Sequence, residues 1–260
     1  MSSSQPRPYV LTIGGFDPCG GAGVLADIKT MEAHGVFGLA AITANTIQTE
    51  DTFTAVKAES PDFTTSQIDT LFSRYPIAAC KIGLTVSFNQ LSSIITTLAA
   101  RKANLPIVWD PILRATAGNE NLLDPTLFTP GSLLPHLSLV TPNLPEFSSL
   151  FPNAAPQQIA NRYRCALLIK GGHAVSNAPC VEDHLYPPDG SPTVFSVPRS
   201  SGSKHGTGCV LSSAIVAQLA LGAPLPDAIR LAQQYVARFI ASHPSRLGTH
   251  CPPLSHDRSI

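Results

Sequence analysis

His205-Gly206-Thr207-Gly208-Cys209 runs directly into Val210 to Leu221, a stretch whose apolar character is interrupted only by Ser212, Ser213 and Gln218. Glycines flanking a threonine at the mouth of a helix let bare backbone N–H groups converge on one point, where the helix dipole also favours negative charge. The helix behind them is apolar nearly all round, so it is expected to be buried and to hold its own N-terminus rigidly. Cys209 falls in the first turn, where the same field is expected to lower its thiol from about 8.5 into the range of roughly 3.5 to 7.5. An anion cradle beside an activated sulfur points to phosphoryl transfer. The competing reading is a glycine-rich loop entering a core helix with an inert, buried cysteine.

Outward from this motif, short apolar runs alternate with longer helical patterns. Tyr9 to Ile13 reads as a buried strand, Gly20 to His34 as a helix closed by Gly35, and Leu39 to Thr43 as the next strand. Further strands are expected at Ala78 to Ile82, Pro106 to Trp109, Ser138 to Val140 and Ala166 to Ile169, with helical patterns near 64–74, 87–103, 124–129 and 143–164. Glu182 to Tyr186 and Thr193 to Val197 read as a hairpin around Pro187-Pro188-Asp189-Gly190, and a last helix runs from Pro226 to about Ser242. Repeated βαβ units imply an α/β fold: three αβα layers around a mainly parallel open sheet, with ligands outside the carboxyl ends of the strands. Residues 9–243 are read as one domain, 1–8 as a disordered tail and 244–260 as an irregular tail.

Composition narrows the partners. The 260 residues are 43% hydrophobic and 13% charged, which points to extensive burial and a homo-oligomer. Lysine plus arginine equals aspartate plus glutamate at 17 each, with no basic run, so neither nucleic acid nor an anionic membrane is the expected partner. A small molecule is. No apolar stretch reaches the roughly 18 residues of a membrane span and the N-terminus shows no signal-peptide pattern, so a cytoplasmic location is expected. Six cysteines without a C-x-x-C pair argue against a zinc site or a disulfide framework.

Residues at strand ends carry the chemistry. The loop from Gly14-Gly15 to Gly20-Gly21-Ala22-Gly23 lacks G-x-G-x-x-G and the Walker A lysine, and reads as backbone that approaches a flat ligand closely. In the helix after it, Asp27 lies about 40° beyond Met31 on the border of the apolar stripe, too near the buried face for a routine solvated charge. The Gln48 amide offers an acceptor and two donors in one plane, the complement of an aminopyrimidine edge. Asn143-Leu144-Pro145-Glu146 reads as a capping box, as a Mg²⁺ site through Glu146, or as both. Asp110 at another strand end has the same ambiguity, and Lys170-Gly171-Gly172-His173 adds a cation at a third.

These residues resemble the hydroxymethylpyrimidine/phosphomethylpyrimidine kinases, within the ribokinase-like superfamily. The matching segments are Leu11 to Gly15, Asp17 to Gly23, Ala26 to Thr30, Ala41 to Ala44 with Gln48, Lys81 to Gly83, Asp110-Pro111, Thr141 to Glu146, Lys170 to His173 and His205 to Cys209. A cysteine rather than an aspartate closing Gly-Thr-Gly is specific to this branch. The resemblance implies that Asp27 and Gln48 hold the pyrimidine and its hydroxymethyl group, with Gly15 and Leu84 close by. It further implies that Lys170, Asn143, Glu146 and Thr207 serve ATP and Mg²⁺. Cys209 is then the base candidate, while the Gly206 to Cys209 amides and Lys170 neutralise charge on the transferred group. Leu84, Thr49-Glu50, Lys204, Arg114 and Thr116 depart from the family pattern, which bears on whether both the alcohol and its monophosphate are phosphorylated. The rival readings are a pyridoxal-type kinase and a catalytically weak pyrimidine or vitamin sensor.

Overall fold

Burial alternates along the first strand: Val10 packs on one side of the sheet while Leu11 and Ile13 pack on the other. That period of two, in a strand without a single charged residue, marks a strand covered on both faces. The computed structural model describes residues 7–114, 122–172, 178–200 and 202–250. Its strands are β1 (Tyr9–Phe16), β2 (Phe37–Gln48), β3 (Phe53–Ala58), β4 (Ile77–Ile82), β5 (Ile107–Trp109), β6 (Leu139–Val140), β7 (Ala166–Ile169), β8 (Cys180–Tyr186) and β9 (Thr193–Pro198). They form one nine-stranded sheet in the order β3-β2-β1-β4-β5-β6-β7-β8-β9. The six strands from β2 through β7 in that order are parallel, and β3, β8 and β9 are antiparallel.

The helices are α1 (Gly23–Ala33), α2 (Pro61–Arg74), α3 (Phe88–Arg101), α4 (Pro130–Leu133), α5 (Leu144–Leu150), α6 (Pro156–Tyr163), α7 (Thr207–Ala220) and α8 (Leu225–Ala241). One apolar layer joins Met31 of α1 and the inner faces of α7 and α8 to the sheet. The opposite layer gathers residues of α2, α3, α5 and α6 around Leu11, Ile13 and Trp109. The three-layer αβα architecture is therefore the one expected. Ser60 and Ser87 cap α2 and α3 through their hydroxyls, which accept the Phe63 and Gln90 amides.

Three elements differ from the sequence expectation. The helical pattern near 143–164 is two helices, because Pro152 and Asn153 follow α5 and Asn153 adopts a left-handed φ of 61°. The pattern near 124–129 is a 3-10 turn at Pro125–Leu127 followed by the short α4. The second strand runs on to Gln48 and pairs with the unexpected β3, whose exposed positions gave no clean apolar alternation.

Residues 243–250 contain neither helix nor strand, yet they are fastened to the body of the protein. The Lys204 ammonium donates to the carbonyls of His243 and Ser245, the His205 amide donates to the Arg246 carbonyl at 2.9 Å, and Arg246 pairs with Asp51 at 2.6 Å. Removing the first of these ties isolates the strap's contribution. Lys204→Met is expected to lower the melting temperature and to raise amide hydrogen exchange at 243–250 while β1 and β4 stay protected; unchanged exchange in the strap would refute the tie.

Candidate active site

The carboxyl ends of β1, β2, β4, β5, β6 and β7 open on one edge of the sheet, and α7 begins there. Gly206 caps α7 with a left-handed φ of 78°, and a Cβ on it would lie 2.0 Å from the Gly21 carbonyl oxygen. The motif loop is thus pressed against the β1–α1 loop so closely that only glycine fits. Gly206 brings no side chain to cap the first turn of α7, so among the described residues the amides of Thr207 and Gly208, both half-buried residues, have no capping side chain. A Cβ on Gly208 would come within 3.5 Å of both Asp110 Oδ2 and Lys170 Nζ. The uncapped amides therefore face the lysine and the carboxylate expected at strand ends.

Lys170 and Asp110 form an ion pair at 2.6 Å, with the Thr141 hydroxyl donating to the same Asp110 oxygen at 3.2 Å. Asn143 and Glu146 make the capping box: the Asn143 amide donates to Glu146 Oε2 at 2.7 Å and the Glu146 amide to Asn143 Oδ1 at 2.8 Å. Glu146 also lies 3.8 Å from Lys170, and the Lys170 backbone bridges to Asn143, so the four residues form one cluster. Burial pushes the Glu146 carboxyl up to about 7, against the pull of Lys170 and with the help of Asp110. Glu146 is thus both a cap and a carboxylate short of positive charge, a donor set of the hard, oxygen kind that suits Mg²⁺. His173 lies outside the described residues, as do 115–121 and 251–260.

On the other side of α7, Asp27 is fully buried. Both of its oxygens are taken: Lys81 donates to Oδ1 at 2.9 Å and to Oδ2 at 2.8 Å, the Thr12 hydroxyl to Oδ2 at 2.5 Å and the Ser213 hydroxyl to Oδ1 at 2.7 Å. The Asp27 carboxylate thus holds Lys81, a partner that the helix pattern alone did not name. Gly15, by contrast, touches Leu84, since a Cβ there would lie 2.6 Å from Leu84 Cδ2. Gln48 stands half-buried at the overhanging end of β2, beyond Asn45, where pairing with β1 stops.

Cys209 is buried in the first turn of α7, where the Gly23 amide at the start of α1 draws its thiol down. The expected low thiol value is not met. Burial pushes Cys209 up to about 11, with Lys81 opposing and the carboxylates of Asp27 and Asp110 assisting, so at neutral pH the sulfur carries its proton.

Sequence reading passed over several residues that shape this site. Ser212 and Ser213 looked like mere interruptions of an apolar helix, and Lys81 was only one letter of a motif; its signal was a lone charge inside an otherwise apolar strand. Asp17 was another. Its carboxylate gathers the Ala22 amide at 2.8 Å, His205 Nε2 at 3.0 Å and the Cys19 thiol at 3.2 Å, and so locks the β1–α1 loop to the motif loop.

Two consequences are measurable. A folded-state carboxyl raised from 4.5 to about 7 binds its proton more tightly than the unfolded chain does, so its contribution is complete at low pH and is lost as pH rises through 7. Glu146→Gln, which preserves the capping box, is expected to flatten the fall in melting temperature between pH 5 and 8; a slope equal to the wild type's would contradict this. Gly206→Ala is expected to destabilise the fold by at least about 1–3 kcal/mol in urea titration, from backbone strain alone.

Comparisons with known proteins identify the family. The family model described as phosphomethylpyrimidine kinase matches residues 17–255. A hydroxymethylpyrimidine/phosphomethylpyrimidine kinase of Haemophilus influenzae is 32% identical over 259 residues, covering 95% of this chain and 96% of that protein. A thiamine biosynthesis multifunctional protein of Corynebacterium efficiens is also 32% identical over 96% of this chain, which spans only 35% of that protein's length. Among solved structures, the phosphomethylpyrimidine kinase of Clostridium difficile superposes with a TM-score of 0.73 at 29% identity, over 89% of this chain and 99% of that one. A pyridoxal kinase of Bacillus subtilis in complex with ADP superposes with a TM-score of 0.79 at 25% identity, over 91% and 92% of the two chains. Sequence, fold and the arrangement around α7 converge, and the chain belongs to the phosphomethylpyrimidine kinase family.

Proposed function

We propose that this kinase transfers the γ-phosphoryl group of ATP to the hydroxymethyl group of 4-amino-5-hydroxymethyl-2-methylpyrimidine, and then phosphorylates the monophosphate so formed, in thiamine biosynthesis. The observation that carries the reading is the uncapped first turn of α7, with Lys170 on one side and the Cys209 sulfur on the other. Gly15, Leu84 and Gln48 form the substrate side: a glycine against an apolar side chain accepts a flat ring, and the Gln48 amide matches an aminopyrimidine edge. Asn143, Lys170, Thr207 and Gly208 form the nucleotide side. Glu146 and Asp110 would hold Mg²⁺, which when bound neutralises phosphate charge and orients the phosphates.

The chain's own part is positioning and electrostatics. Amides of Gly206 to Cys209 and the Lys170 ammonium converge where negative charge spreads over the transferred group, and they need no rearrangement to do so. As the acceptor oxygen bonds to phosphorus, the bond to the bridging oxygen breaks and its electron pair leaves with ADP. The acceptor's proton passes to Cys209 as thiolate. Since burial holds that thiol near 11, the thiolate fraction grows with pH across the neutral range. A pyridoxal-type kinase and a sensor remain the rival readings, and a homo-oligomer in the cytoplasm completes the proposal. Among the described residues no helix is long and apolar enough to cross a membrane.

ADP release from Mg-ATP with the pyrimidine alcohol, its monophosphate or pyridoxal separates these readings. Turnover with the first two supports the proposal, turnover with pyridoxal alone replaces it, and binding without ADP favours the sensor. Cys209→Ala is expected to lower kcat by about 100-fold or more with little change in ATP KM. Wild-type kcat should rise with pH from 7 to 9.5 and the variant's residual rate should not; a parallel rise in both would remove Cys209 from the base role.

A further inference from the structure

Lys81 is the largest charged side chain buried in the described structure, only 1% exposed, and nothing in the proposed reaction uses it. It lies near the end of β4, among apolar neighbours, with its ammonium doubly bonded to Asp27. Asp27 in turn accepts the hydroxyl of Ser213, which stands four residues after Cys209 and so on the same face of α7. A Cβ on Gly83 would meet the Lys81 ammonium at 2.9 Å, so that charge lies directly under the strand end that continues into Leu84. It is thus buried beside the proposed substrate side of the cleft. A buried lysine ordinarily loses its proton; here burial pulls that way too, but Asp27, Cys209 and Asp110 together outweigh it and keep the ammonium charged.

We propose that Lys81 is a positioning residue for phosphoryl transfer: anchored by Asp27, it supplies the permanent positive charge that steadies the Cys209 sulfur as an anion while the acceptor's proton is moved. The charged groups around Cys209 come from four directions: Asp27 on α1, Lys81 on β4, Asp110 after β5 and Lys170 after β7. Of the two cations, Lys170 is engaged by Asp110 and Glu146 and faces the proposed nucleotide side. Lys81 has one partner, no exit to solvent and no ligand to serve, so its charge is constant through the cycle. This inference rests on Cys209 being the proton acceptor, but its physical core can be measured without any substrate.

The test is the rate at which iodoacetamide alkylates Cys209, read by mass spectrometry of the peptide that carries it, from pH 6.5 to 10. It is applied to the wild type, to Lys81→Met and to Lys81→Gln. Lys81→Gln keeps a hydrogen-bond donor for Asp27 should Lys81→Met fail to fold, with near-ultraviolet circular dichroism reporting the fold. In a folded variant, alkylation at pH 8 is expected to fall by about 10-fold or more, as less thiolate forms. With the pyrimidine alcohol as substrate, kcat is expected to fall by about 100-fold while ATP KM changes by less than about twofold. A folded variant that alkylates as fast as the wild type or faster, or one that loses ATP affinity and keeps kcat, overturns the proposal. If slower alkylation is seen but the wild type transfers no phosphoryl to the pyrimidine, the substrate reading fails and the role of Lys81 toward the sulfur stands.

Discussion

Two adjacent serines fasten α7 to the sheet through two lysine–aspartate pairs, and the geometry of the cleft depends on them. Ser213 donates to Asp27, which holds Lys81, while the Ser212 hydroxyl lies 3.5 Å from Asp110, which holds Lys170. Adjacent helical positions point about 100° apart, so the two pairs set its rotation as well as its depth. Apolar packing seats the helix, but its evenly apolar surface offers no single stripe that would select one rotation. The polar pairs make one orientation distinct. Breaking a buried pair by removing one partner costs about 3–5 kcal/mol, enough to give that orientation a steep preference.

From that constraint the rest of the site follows. With α7 fixed, Gly206 must pass under the Gly21 carbonyl, and Asp17 with His205 clamps the two loops together. The N-termini of α1 and α7 then open on the same place, with Cys209 in the first turn of α7. The charges around it are all held by partners, so little reorganisation is needed when a phosphoryl group arrives. Glu146 differs in that burial raises its carboxyl toward neutrality although it accepts the Asn143 amide.

Much of the fold was legible because its signals are local. Tyr9 to Ile13, Ala166 to Ile169 and the run after Cys209 are apolar for lengths that match a buried strand or a buried helix, and the βαβ alternation limits the sheet to few topologies. What was less legible had weak local contrast. β3 is half-exposed, with no clean alternation, and is stabilised by pairing with β2 rather than by its own pattern. The long pattern near 143–164 hid a break, since a single periodicity can be shared by two short helices packed on the same core. In the site, Lys170, Glu146, Asp110 and Gly208 were readable as strand-end and loop chemistry, and they do meet. The helix position of Asp27 at the border of the apolar stripe marked it as more than a solvated charge, but its ion-pair partner, Lys81, lies 54 residues away and left no local signal.

Sequence alone determined the αβα architecture, the strand-end edge where the candidate site residues gather and the glycine-bounded mouth of α7, since each follows from periodicity, strand order or the conformational freedom of glycine. Tertiary structure alone decided the charge state of the sulfur and the partner of Asp27. The proton affinity of Cys209 is a sum over burial and over charges on α1, β4, β5 and β7, segments remote in sequence, and in that sum desolvation outweighs the helix field that the local motif advertises.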